Sequence, residues 1–353
     1  MSNIKKSVLL DVERMKYPNS GLAEYCKNLA INLAIQKESN IELTFLAPQK
    51  IQNQFPKNQK LLSTKFFHRY FKVKSSQFDL WHATHQDTNY LPKNLKTSLL
   101  LTLHDLNFLQ EKDLKKTDKR LRLLQDKIYA ATAISTVSKY TLNKVQEYLK
   151  LEHKPSRVIY NGIKFPDISK ATRPKILLKG PFLLYLGMVK PKKNVLSLIP
   201  LIERLKDYSL VIAGNNQDPY ANEIRKLIAK HNLEKNVLMI GEVNDNEKSW
   251  LYQNCQAFLF PSLAEGFGMP VIEAMSLGKL VIAQNTTSLP EIAGPDISYF
   301  ENSNPEHMEE VFKIALDTFQ KNPSMSELWI KRAQNFSWEK SASQYLDFYQ
   351  VLL

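Results

Sequence analysis

The sequence predicts an α/β protein made of two Rossmann-like domains, each a parallel sheet covered by helices. At 353 residues the chain is long enough for two cores, since domains run to roughly 100 to 200 residues. Short apolar runs alternate with helical patterns, and this rhythm occurs twice, with a polar, Pro-bearing stretch from about 164 to 179 between the two sets. The 10 Gly and 17 Pro are no enrichment, so collagen-like, disordered and repeat-array classes have no support.

The first set opens with the strand SVLLDV (7 to 12) and a helical pattern from 23 to 36. A later apolar strand in TSLLLTLHDLNFL (97 to 109) ends at His104 and Asp105. The second set runs FLLYLG (182 to 187), a helix from 195 to 205, and SLVIAG (209 to 214). Further on, AFLF (257 to 260) enters a Gly-containing loop and then a helix, with Pro270 in its first turn. The last pattern, 338 to 352, reads as an amphipathic helix burying Trp338, Tyr345, Phe348 and Tyr349. The expected division is 1–166, 177–335 and a C-terminal helix, 336–353, packing back toward the first domain.

Composition narrows the classes. Cys26 and Cys255 are too few for a disulfide framework and have no zinc spacing, so both read as buried small apolar residues and no metal is expected. No apolar run reaches the roughly 18 to 20 residues of a membrane span, and the start has no cleavage-site pattern, which points to a cytoplasmic protein. The net charge of +13 fits an acidic partner: nucleic acid, anionic lipid or a phosphate-bearing small molecule. Neither half carries GxGxxG after its first strand, so a dinucleotide cofactor has little support.

The stretch FPSLAEGFGMPVIEAMSLG (260 to 278) carries the most chemistry. Amides at a helix start attract an anion, with the helix dipole behind them, and Gly266 and Gly268 allow close approach to the main chain. Glu265 lies before this helix and Glu273 about one turn inside it, where carboxylates can accept paired sugar or ribose hydroxyls. The bland alternative makes Glu265 a helix cap and Glu273 a solvated helix residue.

EGFGMPVIE resembles the E-x7-E motif of the retaining family 4 glycosyltransferases (glycosyltransferase group 1), and the resemblance covers nearly the whole chain. It implies the GT-B fold, with two Rossmann-like domains facing across an interdomain cleft. LYLGMVKPKKNV (184 to 195) is similar to the family's Gly loop followed by a basic pair and Asn; Gly187 lies in that loop and Lys193 matches the diphosphate-binding lysine. Met188 stands where an arginine often follows the glycine, and Lys192 is expected to face solvent. His104 matches the family histidine that contacts the transferred sugar, a positioning group and not a general base. PNSGLAEYCKNLA (18 to 30) resembles the first strand-to-helix loop near acceptor and donor phosphates, with Ser20 in place of one of two glycines before Gly21. TVSKYT (136 to 141), VIYNGI (158 to 163) and SLPEIAG (288 to 294) also look like family segments; Ser138 is a candidate helix cap, and 288 to 294 is expected to support the donor pocket.

The resemblance thus implies a hexosyltransferase with His104, Lys193 and Glu265 as catalytic residues. Gly187, Lys193, Glu265, Gly266, Phe267, Gly268, Met269 and Glu273 would bind a UDP- or GDP-linked sugar, with Glu273 on the ribose. The acceptor would be a glycan or lipid-linked glycan of surface polysaccharide or lipopolysaccharide synthesis, mannose or glucose the favoured sugar, and donor binding is expected to close the cleft. No cofactor is expected, because lysine and helix dipole meet the diphosphate charge. An epimerase or phosphorylase on a related fold remains open, separated by product analysis without acceptor. A non-catalytic nucleic-acid or membrane-binding module rests on the charge and the run KFFHRYFKVK (65 to 74) alone. The preferred reading has no nucleic-acid partner and allows peripheral contact with anionic membrane at the inner face of the cytoplasmic membrane.

Overall fold

The computed structural model describes all residues except 1–4, 19, 37–39, 56–58, 65–74, 93–95, 111–112 and 177–179. The basic aromatic run at 65 to 74 therefore lies outside the described residues. The chain divides into two compact units, Met1–Gly162 with Ser337–Leu353, and Ile163–Phe336.

In unit 1 the strands are β1 (Lys6–Asp11), β2 (Ile41–Pro48), β3 (Lys60–Thr64), β4 (Leu80–Ala83), β5 (Ser98–Leu103), β6 (Ala133–Thr136) and β7 (Ser156–Val158). They form a parallel sheet in the order β3-β2-β1-β4-β5-β6-β7. The helices are α1 (Gly21–Gln36), α2 (Leu114–Ala130) and α3 (Lys139–Tyr148). Helices cover such a sheet, so its central strands read as continuous apolar runs: Val8, Leu9 and Leu10 are fully buried in β1. Ser138 caps α3 as the sequence predicts, its hydroxyl accepting the Thr141 N–H at 3.1 Å.

Unit 2 repeats the plan with β8 (Phe182–Leu186), β9 (Ser209–Ala213), β10 (Val237–Gly241), β11 (Ala257–Phe260), β12 (Leu280–Gln284) and β13 (Ser298–Phe300). All are parallel, in the order β10-β9-β8-β11-β12-β13. Its helices are α4 (Leu198–Arg204), α5 (Tyr220–Lys230), α6 (Asp245–Asn254), α7 (Met269–Ser276), α8 (Leu289–Ala293), α9 (Pro305–Lys321) and α10 (Met325–Ala333). The helix expected over 195 to 205 is split: Val195–Ser197 is a 3-10 turn entered from Asn194 in the left-handed region (φ 52°), and α4 starts only at Leu198. Pro200 in its first turn suits that later start, because a helix's first N–H groups have no acceptor to lose.

The polar stretch after Gly162 is no free linker. Lys164 pairs with Asp245 at 2.6 Å and the Thr172 N–H donates to the Asn246 carbonyl at 3.1 Å. Arg173 lies 5.8 Å over the Trp250 ring, so residues 164 to 173 are strapped to α6 and the division falls at Gly162 and Ile163.

The final helix, α11 (Trp338–Leu352), belongs to unit 1, where it packs on α1. Trp338, Tyr345, Phe348 and Tyr349 are all at most 5% exposed. The buried hydroxyls are satisfied: Tyr345 meets the Tyr25 hydroxyl at 2.8 Å, and His82 is held between Tyr349 (2.6 Å) and Thr102 (2.7 Å). At the helix start a side chain on Gly162 would come within 2.1 Å of the Trp338 nitrogen, so only glycine fits there. Cys26 and Cys255 are free and buried, and burial pushes each thiol up to about 12.

Candidate active site

Ligands of open parallel sheets bind outside the carboxyl ends of the strands, where the strand order reverses. In unit 2 that point lies between β8 and β11. The two motif loops leave the sheet there, one after Leu186 and one after Phe260.

The first loop begins at Gly187. Its carbonyl oxygen would be 2.0 Å from a side chain on Gly214, which has φ 130°, so the loop reaches its place by lying on a bare backbone. A 3-10 turn, Pro191–Lys193, then presents Lys193 inward while Lys192 is exposed. The Lys192 carbonyl accepts the Leu263 N–H at 2.9 Å and the Ser262 hydroxyl at 3.3 Å, which ties the two loops together.

The second loop brings Glu265 to Lys193. Their ammonium and carboxylate are in direct contact, with side chains only 12% and 11% exposed. Lys193 also lies 5.4 Å over the Phe260 ring. The second carboxylate oxygen of Glu265 has no partner among the described residues. The loop is pinned from beyond the helix: Thr287 accepts the Glu265 N–H at 3.1 Å and Ser288 donates to its carbonyl at 3.0 Å. The segment 288 to 294 is thus part of the scaffold of this loop.

Helix α7 starts at Met269 with Gly268 as its N-cap residue, φ 99°, and Pro270 in the first turn. No side chain caps it, so Glu265 is not a cap. A side chain on Gly268 would meet Leu289 at 2.6 Å. The first amides of a helix lack intrahelical acceptors and carry the positive end of its dipole; here Pro270 has no N–H and the Val271 N–H donates to the Gly268 carbonyl at 3.0 Å, so of the expected main-chain contacts only Met269 lies in the first turn, with Gly266 and Gly268 in the loop before it. The Phe267 side chain is buried edge-on against Phe336 at 5.6 Å, so it too can serve a ligand only through its main chain.

Glu273 is not solvated but 9% exposed. One oxygen pairs with Lys248 at 3.2 Å and the other accepts the Tyr252 hydroxyl at 2.9 Å. Lys248 and Tyr252 are one turn apart on α6, a spacing that puts both on one helix face. Sequence reasoning missed both; their four-residue spacing was the available signal. Burial pushes the Tyr252 hydroxyl well above its ordinary range, with Glu273 adding to it, so it stays a proton donor.

In unit 1 the order reverses between β1 and β4. His104, just past β5, is 8% exposed. Its Nε2 lies 2.8 Å from the Thr84 carbonyl, which can only accept, so Nε2 carries a proton. Burial lowers the proton affinity of the ring, favouring the neutral imidazole. Ser20 spends its hydroxyl at the start of α1, accepting the Ala23 N–H at 3.2 Å and donating to the Tyr17 carbonyl at 2.9 Å. Gly21 beside it is exposed, so this loop too offers main chain. A buried carboxyl unnoticed in the sequence, Asp11 at the end of β1, is pushed up to about 7, chiefly by burial. No cluster of three His, Cys, Asp or Glu suited to a metal occurs among the described residues, and no helix among them is long and apolar enough to cross a membrane.

Two family profiles match: Glycosyltransferase Family 4 over residues 22–165 and Glycosyl transferases group 1 over residues 169–336. The O-antigen chain mannosyltransferase B of Escherichia coli is 25% identical, the match covering 98% of this chain and 100% of that one. The serotype-specific mannosyltransferase WbdA of E. coli is 30% identical over 52% of this chain, which spans only 23% of that relative's length. Among solved structures, Anabaena HepE in complex with UDP and glucose is similar with TM-score 0.75 at 18% identity, covering 98% of this chain and 100% of that one. Sucrose-phosphate synthase from Thermosynechococcus elongatus gives TM-score 0.76 at 15% identity over 99% of each chain. Two doubly wound parallel-sheet units, matched by family profiles along both halves, define a glycosyltransferase of the GT-B fold class. The chain belongs to the group 1 glycosyltransferases, with a family 4 amino-terminal half.

Proposed function

We propose that the protein is a retaining hexosyltransferase that moves a sugar, mannose or glucose, from a UDP- or GDP-linked donor to a glycan or lipid-linked acceptor in O-antigen or other surface polysaccharide synthesis. The observation that carries this reading is the Lys193–Glu265 pair at the unit 2 switch point, beside the open start of α7. Lys193 and the main chain of the 266 to 269 loop at the start of α7 meet the diphosphate, and their charge becomes most valuable as the bond from the anomeric carbon to the diphosphate breaks. The free oxygen of Glu265 takes a sugar hydroxyl, and Glu273, braced by Lys248 and Tyr252, takes the ribose. His104 positions a sugar hydroxyl. The acceptor oxygen bonds to the anomeric carbon on the face the diphosphate leaves, and its proton passes to the departing phosphate.

The sugar favoured here follows the relatives: mannosyltransferases among the sequences, and a UDP and glucose complex among the structures. Lysine and helix dipole supply the positive charge at the phosphates, so turnover is expected to survive EDTA. The charge of +13 suits peripheral attachment to anionic lipid.

The test is turnover of GDP-mannose and UDP-glucose with a mannosyl glycan acceptor, with the product linkage read by NMR. Transfer with the donor's anomeric configuration kept, undiminished in EDTA, supports the reading. An inverted product refutes retention, loss of activity in EDTA restored by a divalent ion refutes metal independence, and an altered sugar nucleotide formed without acceptor points to an epimerase.

A further inference from the structure

His85 and His104 lie side by side past the carboxyl ends of β4 and β5, ring centroids 5.6 Å apart and tilted by 32°. They are 6% and 8% exposed. The Asp87 N–H donates to Nδ1 of His85 at 3.0 Å. An imidazolium has no lone pair to accept that bond, so the His85 ring is neutral and its proton sits on Nε2. His104 is the converse, because its Nε2–H is spent on the Thr84 carbonyl and its Nδ1 is left bare. Burial, with Arg14 and Lys127 near His85, lowers the proton affinity of both rings. Neither His85 Nε2 nor His104 Nδ1 has a partner among the described residues, and neither is among the unpaired atoms sealed from solvent. His104 is also held in place: Gln86 accepts its N–H at 3.0 Å, Thr141 donates to its carbonyl at 3.1 Å, and the Tyr25 ring stands edge-on at 4.6 Å.

We propose that His85 and His104 form a hydroxyl-binding pair, His85 donating from Nε2 and His104 accepting at Nδ1, and that its ligand is a pyranose hydroxyl. An anion would meet the lone pair of His104, and a cation would meet the N–H of His85. A hydroxyl both donates and accepts, so it satisfies both nitrogens, whether as one bridging group or two neighbouring ones. The site lies beside the strand reversal of its sheet, where such folds take ligands. The proposal rests on the glycosyltransferase reading and adds His85 to it. The hydroxyl belongs to the transferred sugar or to the acceptor.

Two substitutions separate this role from a structural one. His85→Asn keeps an acceptor for the Asp87 N–H and removes the donor at the ε position; His85→Gln does the reverse. Both are assayed with GDP-mannose and UDP-glucose, with methyl α-mannopyranoside as acceptor and also without acceptor, alongside thermal melting. The expected result is about a tenfold fall in kcat/KM for His85→Asn at unchanged Tm, the cost of one hydrogen bond, and activity within about threefold of the parent for His85→Gln. A fall in acceptor-free donor hydrolysis as well assigns the hydroxyl to the transferred sugar; a fall in transfer alone assigns it to the acceptor. Parental activity in His85→Asn, or equal damage in both variants, overturns the pair. Failure of the transferase reading looks different, as no turnover of either donor by the unsubstituted protein. In that event the ring 15N signals decide: methyl α-mannopyranoside shifts His85 Nε2 and His104 Nδ1 if the pair binds hydroxyls, and the absence of any shift overturns it.

Discussion

At the residue scale the account turns on a lysine and two glutamates. Lys193 and Glu265 are nearly out of water and neutralise each other, so losing either leaves a charge without its counterpart. Lys193→Ala is expected to lower kcat/KM by about 10² to 10³, the usual range for losing one donor aimed at developing charge, as steady-state kinetics would read. Tyr252→Phe removes one of the two braces on Glu273. Its expected effect is about a threefold to tenfold rise in donor KM at nearly constant kcat, the worth of one hydrogen bond acting in ground and transition states alike. Lys193, Glu265 and Glu273 were legible because glycines, a proline and carboxylates stand at fixed offsets around a strand end. The braces were not: Lys248 and Tyr252 lie 25 and 21 residues before Glu273 on a helix of ordinary composition.

At the scale of elements, the site is made by loops resting on bare backbone. Gly214→Ala would put a methyl group 2.0 Å from the Gly187 carbonyl oxygen. The loop bearing Lys193 must then shift, at a cost of about 1 to 3 kcal/mol, visible as a lower denaturation midpoint together with weaker donor binding. The strands at 7 to 12, 182 to 187 and 209 to 214 were readable to within a residue or so, because a strand buried on both faces is an apolar run with sharp ends. The helix over 195 to 205 was misread in its first turn, where Asn194 takes a left-handed conformation that periodicity does not register. Residues 164 to 173 read as linker because they are polar, yet it is polar groups that fasten them to α6.

For the whole molecule, both units place their first six strands in the same order, unit 1 adding β7 at one edge, and the chain's last helix is returned to the first unit. Amphipathic spacing revealed that α11 buries its aromatics. Its place depends on contacts nearly two hundred positions apart, such as the Ser341 hydroxyl on the Tyr160 carbonyl, which no local pattern encodes. Among its described residues unit 1 also holds three buried imidazoles, and the buried carboxyl of Asp11 titrates against them. His82 is lowered from 6.5 to about 3, so the stability of its neutral form is complete above 6.5 and is lost as pH falls toward 3. His85 and His104 act in the same direction. Asp11, raised from 3.8 to about 7, contributes fully below 3.8 and loses that contribution as pH rises through 7. The three imidazoles outweigh Asp11, so Tm is expected to fall between pH 7 and pH 5. Asp11→Asn removes the opposing group and should steepen that fall in thermal melts.

The central claim is that the loops at the unit 2 switch point form a nucleotide-sugar site. Isothermal calorimetry with UDP, GDP and their glucose and mannose derivatives, at a salt level that suppresses nonspecific charge binding, tests it most directly when repeated on Lys193→Ala and Glu273→Ala. The account predicts one preferred nucleotide, its binding lost or weakened at least tenfold in both variants. Binding of no nucleotide, or equal binding by parent and variants, would contradict it.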